Sequence, residues 1–278
     1  MKEQNHDVSN EEVKEIVKFW YSLFPEVKDE QEVSELLKCI SHKTEEDYVK
    51  QYNELDAKKD TYIDLIFESL NQIDSKDKLE IEQVLVELHK NCKWSYFYEP
   101  VLCMIYIELK EAIDYCSLIE NKKKFLIICL EQLIQKMVNV SYRTILQEVA
   151  LTKEEGKLEG ENVEERITYF DDVLLKNSTY IIDTYKSYSE LIRILELIAE
   201  NTTRFIKKVL NETEEKIDLL NQTFASDQDF GGLLSLELDK GDTHNHGSSV
   251  CKLEFSHQTL IYKPRTLGME YRYNQLLH

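Results

Sequence analysis

The sequence predicts a mainly α protein, in which a long helical region (residues 1–225) precedes a small antiparallel β-sheet (residues 226–278). Glycine placement is the first observation: none of the seven glycines comes before Gly156, and five of them follow Phe230. Because glycine marks turns and close backbone approaches, the architecture is expected to change near residue 226. The second observation is hydrophobic period, which is helical before this point and close to two after it.

Helical signals run through most of the first 225 residues. The first helix is expected to begin behind a capping box, with Ser9 three residues before Glu12, and to end at Pro25. Further helices are predicted at residues 32–41, 45–70, 77–91, 101–120, 123–147, 163–175, 178–210 and 212–221. The charged stretch 152–162 carries Gly156 and Gly160 and is predicted to be an exposed connection.

Three strands are predicted after Phe230. Leu234, Leu236 and Leu238 alternate with polar residues, which is typical of a half-buried strand. The second and third strands are expected at residues 250–255 and 258–263, joined by a tight turn at 256–257. Residues 266–277 are predicted to form a helix.

Composition narrows the class of protein. The chain has 278 residues, of which 42% are hydrophobic and 31% charged, so it is expected to bury a core. A net charge of −19 argues against nucleic-acid binding, which rewards clustered lysine and arginine. The longest apolar run, residues 125–130, is too short to span a bilayer, and no transmembrane segment is expected. The six cysteines are dispersed without a C-x-x-C pair, which favours reduced thiols and a cytoplasmic location.

The loop between the first two predicted strands carries the clearest chemical signal. Gly241 and Gly247 bracket it, and such loops can bring backbone N–H groups close to phosphate oxygens. Lys263 ends the third strand, as a lysine does in kinases, where it meets the nucleotide phosphates beneath a glycine-rich loop. The competing interpretation is an ordinary hairpin loop followed by a surface lysine at a strand end.

The same loop also admits a metal interpretation. Asp242, His244 and His246 alternate, so on an extended segment they would point the same way and could converge on one ion. No fourth ligand or second cluster is visible in the sequence. An acid–base or phosphate-contact role therefore ranks above a metal site.

Two segments in the order just described resemble a known family. Residues 241–250 (G-D-T-H-N-H-G-S-S-V) and 261–265 (I-Y-K-P-R) resemble the G-D-x-H-N-x-G-x-S-V and V-Y-K-P-R segments of class II (LanM-type) lanthipeptide synthetases, in the dehydratase domain. Residues 145–166 resemble the same family's helix, L-x-G-x-T-P-E-E-R loop and following helix. The chain departs from the pattern at Ser248, where a longer polar or basic side chain is common. It departs again at Asn162-Val163, which replaces the usual T-P pair and predicts a helix start without its cap and proline.

The resemblance implies an ATP-dependent enzyme with a kinase-like fold, which uses Mg²⁺. Such enzymes phosphorylate Ser and Thr of a ribosomal precursor peptide and then eliminate phosphate to leave dehydroamino acids, before a separate zinc domain forms thioether rings. By motif, Lys263 would contact the ATP phosphates, and Asp242 and His244 would serve elimination. Gly241, Asn245 and Gly247 would join Lys263 in holding the nucleotide.

The resemblance also implies that the sheet is an incomplete kinase-like N-lobe. Only residues 264–278 follow Lys263, and they cannot supply the second lobe with its Mg²⁺ ligands. The chain alone is therefore expected to be inactive and to need the missing C-terminal part of the enzyme as a partner. Glu270 is a candidate to pair with Lys263, although a solvated helix glutamate is the simpler interpretation. The rival hypotheses are a non-catalytic helical peptide-binding module and a small metal-binding protein.

Overall fold

The computed structural model describes most of the chain. The described residues are 9–23, 26, 28–51, 53, 63–64, 66–68, 73–225, 228–242, 247–265, 268, 272–273 and 275. Their contacts divide the chain into two compact units, residues 1–65 and residues 66–278.

The first unit begins with two amphipathic helices, α1 (Asn10–Leu23) and α2 (Glu30–Ser41). The predicted capping box is confirmed, because the Ser9 N–H donates to the Glu12 carboxylate at 2.8 Å and the Glu12 N–H donates back to Ser9 Oγ at 3.3 Å. Residues 45–51 are helical as well. Val17, Val33, Leu37 and Val49 are buried in this unit. Pro25, the predicted end of the first helix, lies outside the described residues.

The second unit holds the remaining helices and the sheet. Its helices are α3 (Ser75–Asn91), a 3₁₀ turn (Ser95–Tyr98), α4 (Glu99–Tyr115), α5 (Lys122–Glu154), α6 (Val163–Tyr169), a π-helical turn (Phe170–Leu174), α7 (Ser178–Ser187) and α8 (Ser189–Phe224). In the described part of the chain, no helix is both long and apolar enough to cross a membrane.

Helix α8 differs from the prediction of two helices over residues 178–210 and 212–221. The break falls at Tyr188, whose φ of −125° and ψ of 55° are not helical, and α8 then continues unbroken past residue 211. Its buried stripe extends through Val209, Leu210 and Thr213, so packing carries the helix across the position where a break was predicted. Helix α5 also runs to Glu154 instead of residue 147, because Thr152 is buried and its hydroxyl bonds back to the Glu148 carbonyl at 2.6 Å.

The start of α6 corrects another prediction. Asn162 Oδ1 accepts the Glu165 N–H at 2.9 Å, and the Glu165 carboxylate accepts the Glu161 N–H at 2.7 Å. Asparagine is among the best N-cap residues, so the helix has a cap although it lacks the T-P pair. The expectation of an uncapped start was wrong.

The sheet consists of three antiparallel strands in the order β1 (Leu233–Glu237), β2 (Cys251–Phe255) and β3 (Thr259–Tyr262). The predicted turn is confirmed, because the Phe255 N–H donates to the Gln258 carbonyl at 2.8 Å across residues 256–257. A mainly α protein with a small antiparallel sheet at its C-terminal end is therefore the observed fold class. The change from helix to strand falls between Phe224 and Leu233, close to the predicted residue 226.

A β-bulge alters the predicted alternation of β1. Leu233 pairs with Phe255 and Ser235 with Glu254, which leaves Leu234 as an extra residue in its strand. Leu233 and Leu236 are fully buried, whereas Leu234 is 39% exposed. Leu234 was therefore wrongly predicted to face the core, and the bulge is the reason.

One face of the sheet is buried, with Leu236, Leu253 and Phe255 among its residues. The edge of β1 is covered as well, because the Leu233 N–H donates to the Leu118 carbonyl at 2.7 Å in the segment between α4 and α5. All six cysteines are free thiols, as predicted; Cys116, Cys129 and Cys251 are buried, and Cys39 is exposed. Of the helix predicted at 266–277, the described residues 268, 272, 273 and 275 are helical.

Candidate functional site

Strand order places the predicted loop and Lys263 at the same end of the sheet. Strand β1 runs into the loop, β2 returns from it, and β3 runs back toward it. Tyr262, the last residue of β3, pairs with Cys251, the first residue of β2. Lys263 therefore leaves the sheet beside Val250, where the loop ends.

The base of the loop is closed by hydrogen bonds between its two arms. The Lys240 N–H donates to the Val250 carbonyl at 2.8 Å, and the Asp239 N–H donates to Ser249 Oγ at 3.1 Å. Ser249 is fully buried, and Asp239 takes a left-handed backbone with φ of 55°. These contacts fix where residues 241–248 leave the sheet.

Helix α5 holds the arm that leads into the loop. The Gln132 side chain donates to the Leu236 carbonyl at 2.6 Å and accepts the Leu238 N–H at 2.7 Å. One turn further along α5, the Lys136 ammonium pairs with the Asp239 carboxylate at 3.0 Å. The helical region thus positions the start of the loop through two side chains.

Both bracketing glycines lie where a side chain would be crowded. A Cβ on Gly247 would lie 3.3 Å from Asn201 Cβ on α8, and its φ of 86° favours glycine. A Cβ on Gly241 would lie 3.1 Å from Val250 Cγ2. Close packing against α8 and against the residue just before β2 therefore accounts for glycine at both positions.

Strand β3 is anchored to α8 immediately before Lys263. The Tyr262 hydroxyl donates to the Glu212 carboxylate at 2.9 Å, and its ring contacts Phe205 with centroids 6.1 Å apart. Burial, with a smaller contribution from the Glu212 carboxylate, raises the pKa of Tyr262 well above its ordinary value. Because side chains alternate along a strand, Lys263 is expected on the opposite face, with Ile261.

Lys263 and Asp242 are both exposed. Neither forms an ion pair with any residue that the structure describes. His244 and Asn245, the other predicted site residues, lie outside the described residues, as do His246 and Glu270. The roles predicted for Asp242, His244, Asn245 and Lys263 stay predictions. Within the described ranges, no group of three or more His, Cys, Asp or Glu residues could hold a metal ion.

A charge network on the outer face of the sheet was not predicted. Glu237 accepts from Lys240 at 2.6 Å and from Lys252 at 3.0 Å, and these hydrogen bonds lower the pKa of the Glu237 carboxyl. Lys252 pairs across the sheet with Ile261, two positions before Lys263. Glu254 lies 3.8 Å from Lys252, so the two carboxylates offset the two lysines, whereas Lys263 forms no ion pair with a described residue. The sequence alone did not predict this charge network, because Glu237 and Lys252 meet only through the register of β1 and β2.

Chemically, the arrangement combines a glycine-bracketed loop with the Lys263 ammonium and the Asp242 carboxylate, which form no ion pair with a described residue, at one end of a sheet. An ammonium beside loop N–H groups suits the binding of a phosphate oxygen. A carboxylate at the same end suits proton transfer or orientation of a reacting hydroxyl.

One protein family matches part of the chain. The family described as Domain of unknown function (DUF4135) matches residues 188–278, which comprise α8, the sheet, the loop and Lys263. No curated protein matches the chain.

Proposed function

We propose that this chain is the N-terminal portion of a lanthipeptide synthetase dehydratase. In its full form this enzyme phosphorylates Ser and Thr of a ribosomal precursor peptide with ATP and then eliminates phosphate. DUF4135, matched over residues 188–278, is a domain found in lanthipeptide synthetase-type proteins. The family resemblance of residues 241–250 and 261–265 supports the finer assignment.

The observation that carries the proposal is the shared position of the loop and Lys263. The two motifs are separated in sequence, and the register between Cys251 and Tyr262 brings them to one end of the sheet. A kinase-like lobe needs this arrangement, because its lysine must reach the phosphates that the loop covers.

In the proposed site, Lys263 contacts the phosphates of ATP and neutralises part of their charge. Gly241 and Gly247, with Asn245, shape the loop that holds the nucleotide. Mg²⁺, which the family resemblance implies, would offset negative charge on the phosphates, and its ligands are expected outside this chain. Asp242 and His244 serve the second step, in which the α-proton is removed and phosphate leaves. The cytoplasm, where ATP and a newly made precursor peptide are available, is the proposed location.

Nucleotide binding tests the proposal directly. We expect the chain to bind an ATP analogue in calorimetry, and Lys263→Ala to weaken binding about tenfold or more, as loss of one charge-assisted contact does. Lys208→Ala is the matched control, because Lys208 lies exposed on α8 and pairs only weakly with Glu212 at 3.9 Å. Equal affinities of the Lys263→Ala variant and the unaltered chain for the ATP analogue would show that Lys263 does not contact the nucleotide.

Activity is tested by adding the C-terminal part of the enzyme and a precursor peptide with ATP. Mass spectrometry should then show phosphorylated and dehydrated peptide, and the dehydrated product should be lost in the Asp242→Asn variant. Accumulation of phosphorylated peptide in that variant would assign Asp242 to elimination. Dehydration by this chain alone would contradict the proposed division of the enzyme.

A helical peptide-binding module is the second candidate, favoured by a cavity in the first unit. The cavity measures about 830 Å³ and is lined by Ile16, Phe19, Trp20 and Tyr48 among others. Its size and aromatic lining suit an apolar ligand group. Trp20 would report binding of a peptide through its fluorescence. Peptide binding that persists while nucleotide binding is absent would favour this candidate.

A further inference from the structure

A lysine-rich cavity lies at the start of α5, in the second unit. Asn121 caps this helix by accepting the Lys124 N–H at 3.0 Å, and its first turn contains Lys122, Lys123 and Lys124 without any acidic residue. The N-terminal end of a helix carries partial positive charge, so lysines there are unfavourable unless an anion offsets them. In a chain of net charge −19 this concentration of positive charge is unusual.

Tyr106 of α4 supplies an independent observation. Its side chain lines the cavity and is only 2% exposed, and its hydroxyl has no hydrogen-bond partner among the described residues. Burial, followed by the nearby Glu80 carboxylate and then by Asp114 and Asp77, raises the pKa of Tyr106. A buried hydroxyl without a partner costs free energy, which a ligand acceptor would recover.

Lys122 forms no ion pair with a described residue, and its ammonium donates one of its three N–H groups to the Asp114 carbonyl, which leaves two for a ligand. The cavity measures about 480 Å³, and its charged lining consists of Glu80, Lys110, Asp114, Lys122 and Lys123. Lys110 pairs with both carboxylates, at 3.7 Å from Glu80 and 3.2 Å from Asp114, and it offsets one of their two negative charges. Lys123 pairs with Glu87 at 3.5 Å, with both side chains largely exposed. Exposed ion pairs contribute little, so Lys123 can turn toward an anion at small cost.

We propose that this cavity binds a phosphate group, held by Lys122 and Lys123 at the start of α5 and by the Tyr106 hydroxyl. The inference does not depend on the proposed function, because none of these residues belongs to the loop or to β3. Phosphate fits the site better than a carboxylate does, since it offers several acceptor oxygens to two ammonium groups and one hydroxyl. The group could be inorganic phosphate or part of a small phosphorylated molecule.

The test is calorimetric titration of the full chain with inorganic phosphate and with pyrophosphate. Each titration is repeated on the Lys263→Ala variant, so that binding at the proposed nucleotide site is counted separately. Tyr106→Phe should weaken phosphate binding about tenfold, as expected for one hydrogen bond to a charged group. Lys122→Gln combined with Lys123→Gln should abolish it. Lys14→Gln, which removes one positive charge from an exposed position in the first unit, as Lys123→Gln does at the cavity, should leave binding unchanged.

Two further measurements keep the outcomes separate. Circular dichroism confirms that each variant is folded, and Lys123→Gln alone serves if the buried substitution at Tyr106 disturbs the fold. Binding of pyrophosphate but not phosphate would identify a phosphorylated molecule as the ligand. Absence of binding for both anions would overturn the proposal, and so would binding that Lys14→Gln weakens as much as the cavity variants do.

Discussion

Gln132 is the most informative residue to change, because one side chain connects the helical region to the strand that leads into the loop. Its amide makes two hydrogen bonds to the backbone of β1 and the residue after it, at 2.6 Å to the Leu236 carbonyl and 2.7 Å from the Leu238 N–H. Leu236 and Leu238 are 0% and 6% exposed, so water would not readily replace the lost partner. Gln132→Leu keeps the side chain's approximate size and its helix propensity while removing both bonds.

The expected cost follows from these contacts. Leaving one buried backbone group without a partner costs about 1–3 kcal/mol, so losing both bonds should cost about 2–6 kcal/mol. A cost of 2 kcal/mol raises the population of the locally opened strand about 30-fold.

Amide hydrogen exchange followed by mass spectrometry measures this opening on the segment 233–240. Gln135→Leu is the matched control, because Gln135 lies on the same helix, is exposed and bonds to Asn139 at 3.2 Å as its one side-chain partner among the described residues. We expect exchange in this segment to accelerate at least 30-fold in Gln132→Leu and to stay unchanged in Gln135→Leu. Equal exchange in the two variants would refute the view that α5 holds the loop through Gln132.

Two other changes test local contacts of the second unit. Asn162→Ala should destabilise α6 by about 1 kcal/mol through loss of its N-cap, seen as faster exchange over residues 161–169, and unchanged exchange would show that the cap is dispensable. The hydrogen bond from His89, followed by that from Lys176, holds the pKa of the Asp172 carboxyl below its ordinary value of 3.8. The ionised Asp172 carboxylate therefore stabilises the fold above pH 3.8, and this stabilisation is lost as pH falls through the lowered pKa. Asp172→Asn should therefore lower the melting temperature at pH 7. The difference in melting temperature from the unaltered chain should close as pH falls below about 4. A difference that persists at low pH would contradict this assignment.

Local sequence signals were sufficient for most elements. The capping box at Ser9 and the helical spacing that follows it predicted α1, and the pair Ser256-His257 predicted the turn between β2 and β3. These features depend on contacts between residues close together in the chain, which a single sequence displays.

The errors occurred where distant contacts decide the structure. Leu234 alternates correctly with its neighbours in sequence, but a bulge in the pairing with β2 turns it outward. Residue 211 resembles a helix break, but burial of Val209, Leu210 and Thr213 keeps α8 continuous. Asn162 was judged against the T-P pair it replaces, although its own capping ability was sufficient.

The site was predictable only in part, for the same reason. Strand order was enough to place the loop and Lys263 at one end of the sheet, because antiparallel neighbours return to the same edge. Gln132 carries no local signal of its role, since the residue it supports, Leu238, lies 106 positions later in the chain. The lysine-rich cavity was missed as well, because it forms only when α4 and the start of α5 lie together.

These contacts have a consequence for the matched segment, residues 188–278. It contains α8, which anchors β3 through Glu212 and meets the loop at Asn201. It lacks α5, which supplies Gln132 and Lys136 to the other arm of the loop, and it lacks Leu118, which covers the edge of β1. A sheet of three strands needs such cover to be stable, since open edges and an uncovered apolar face favour pairing with other chains. The structural unit behind the loop therefore begins well before residue 188, and the helices ahead of the matched segment support the site as directly as α8 does.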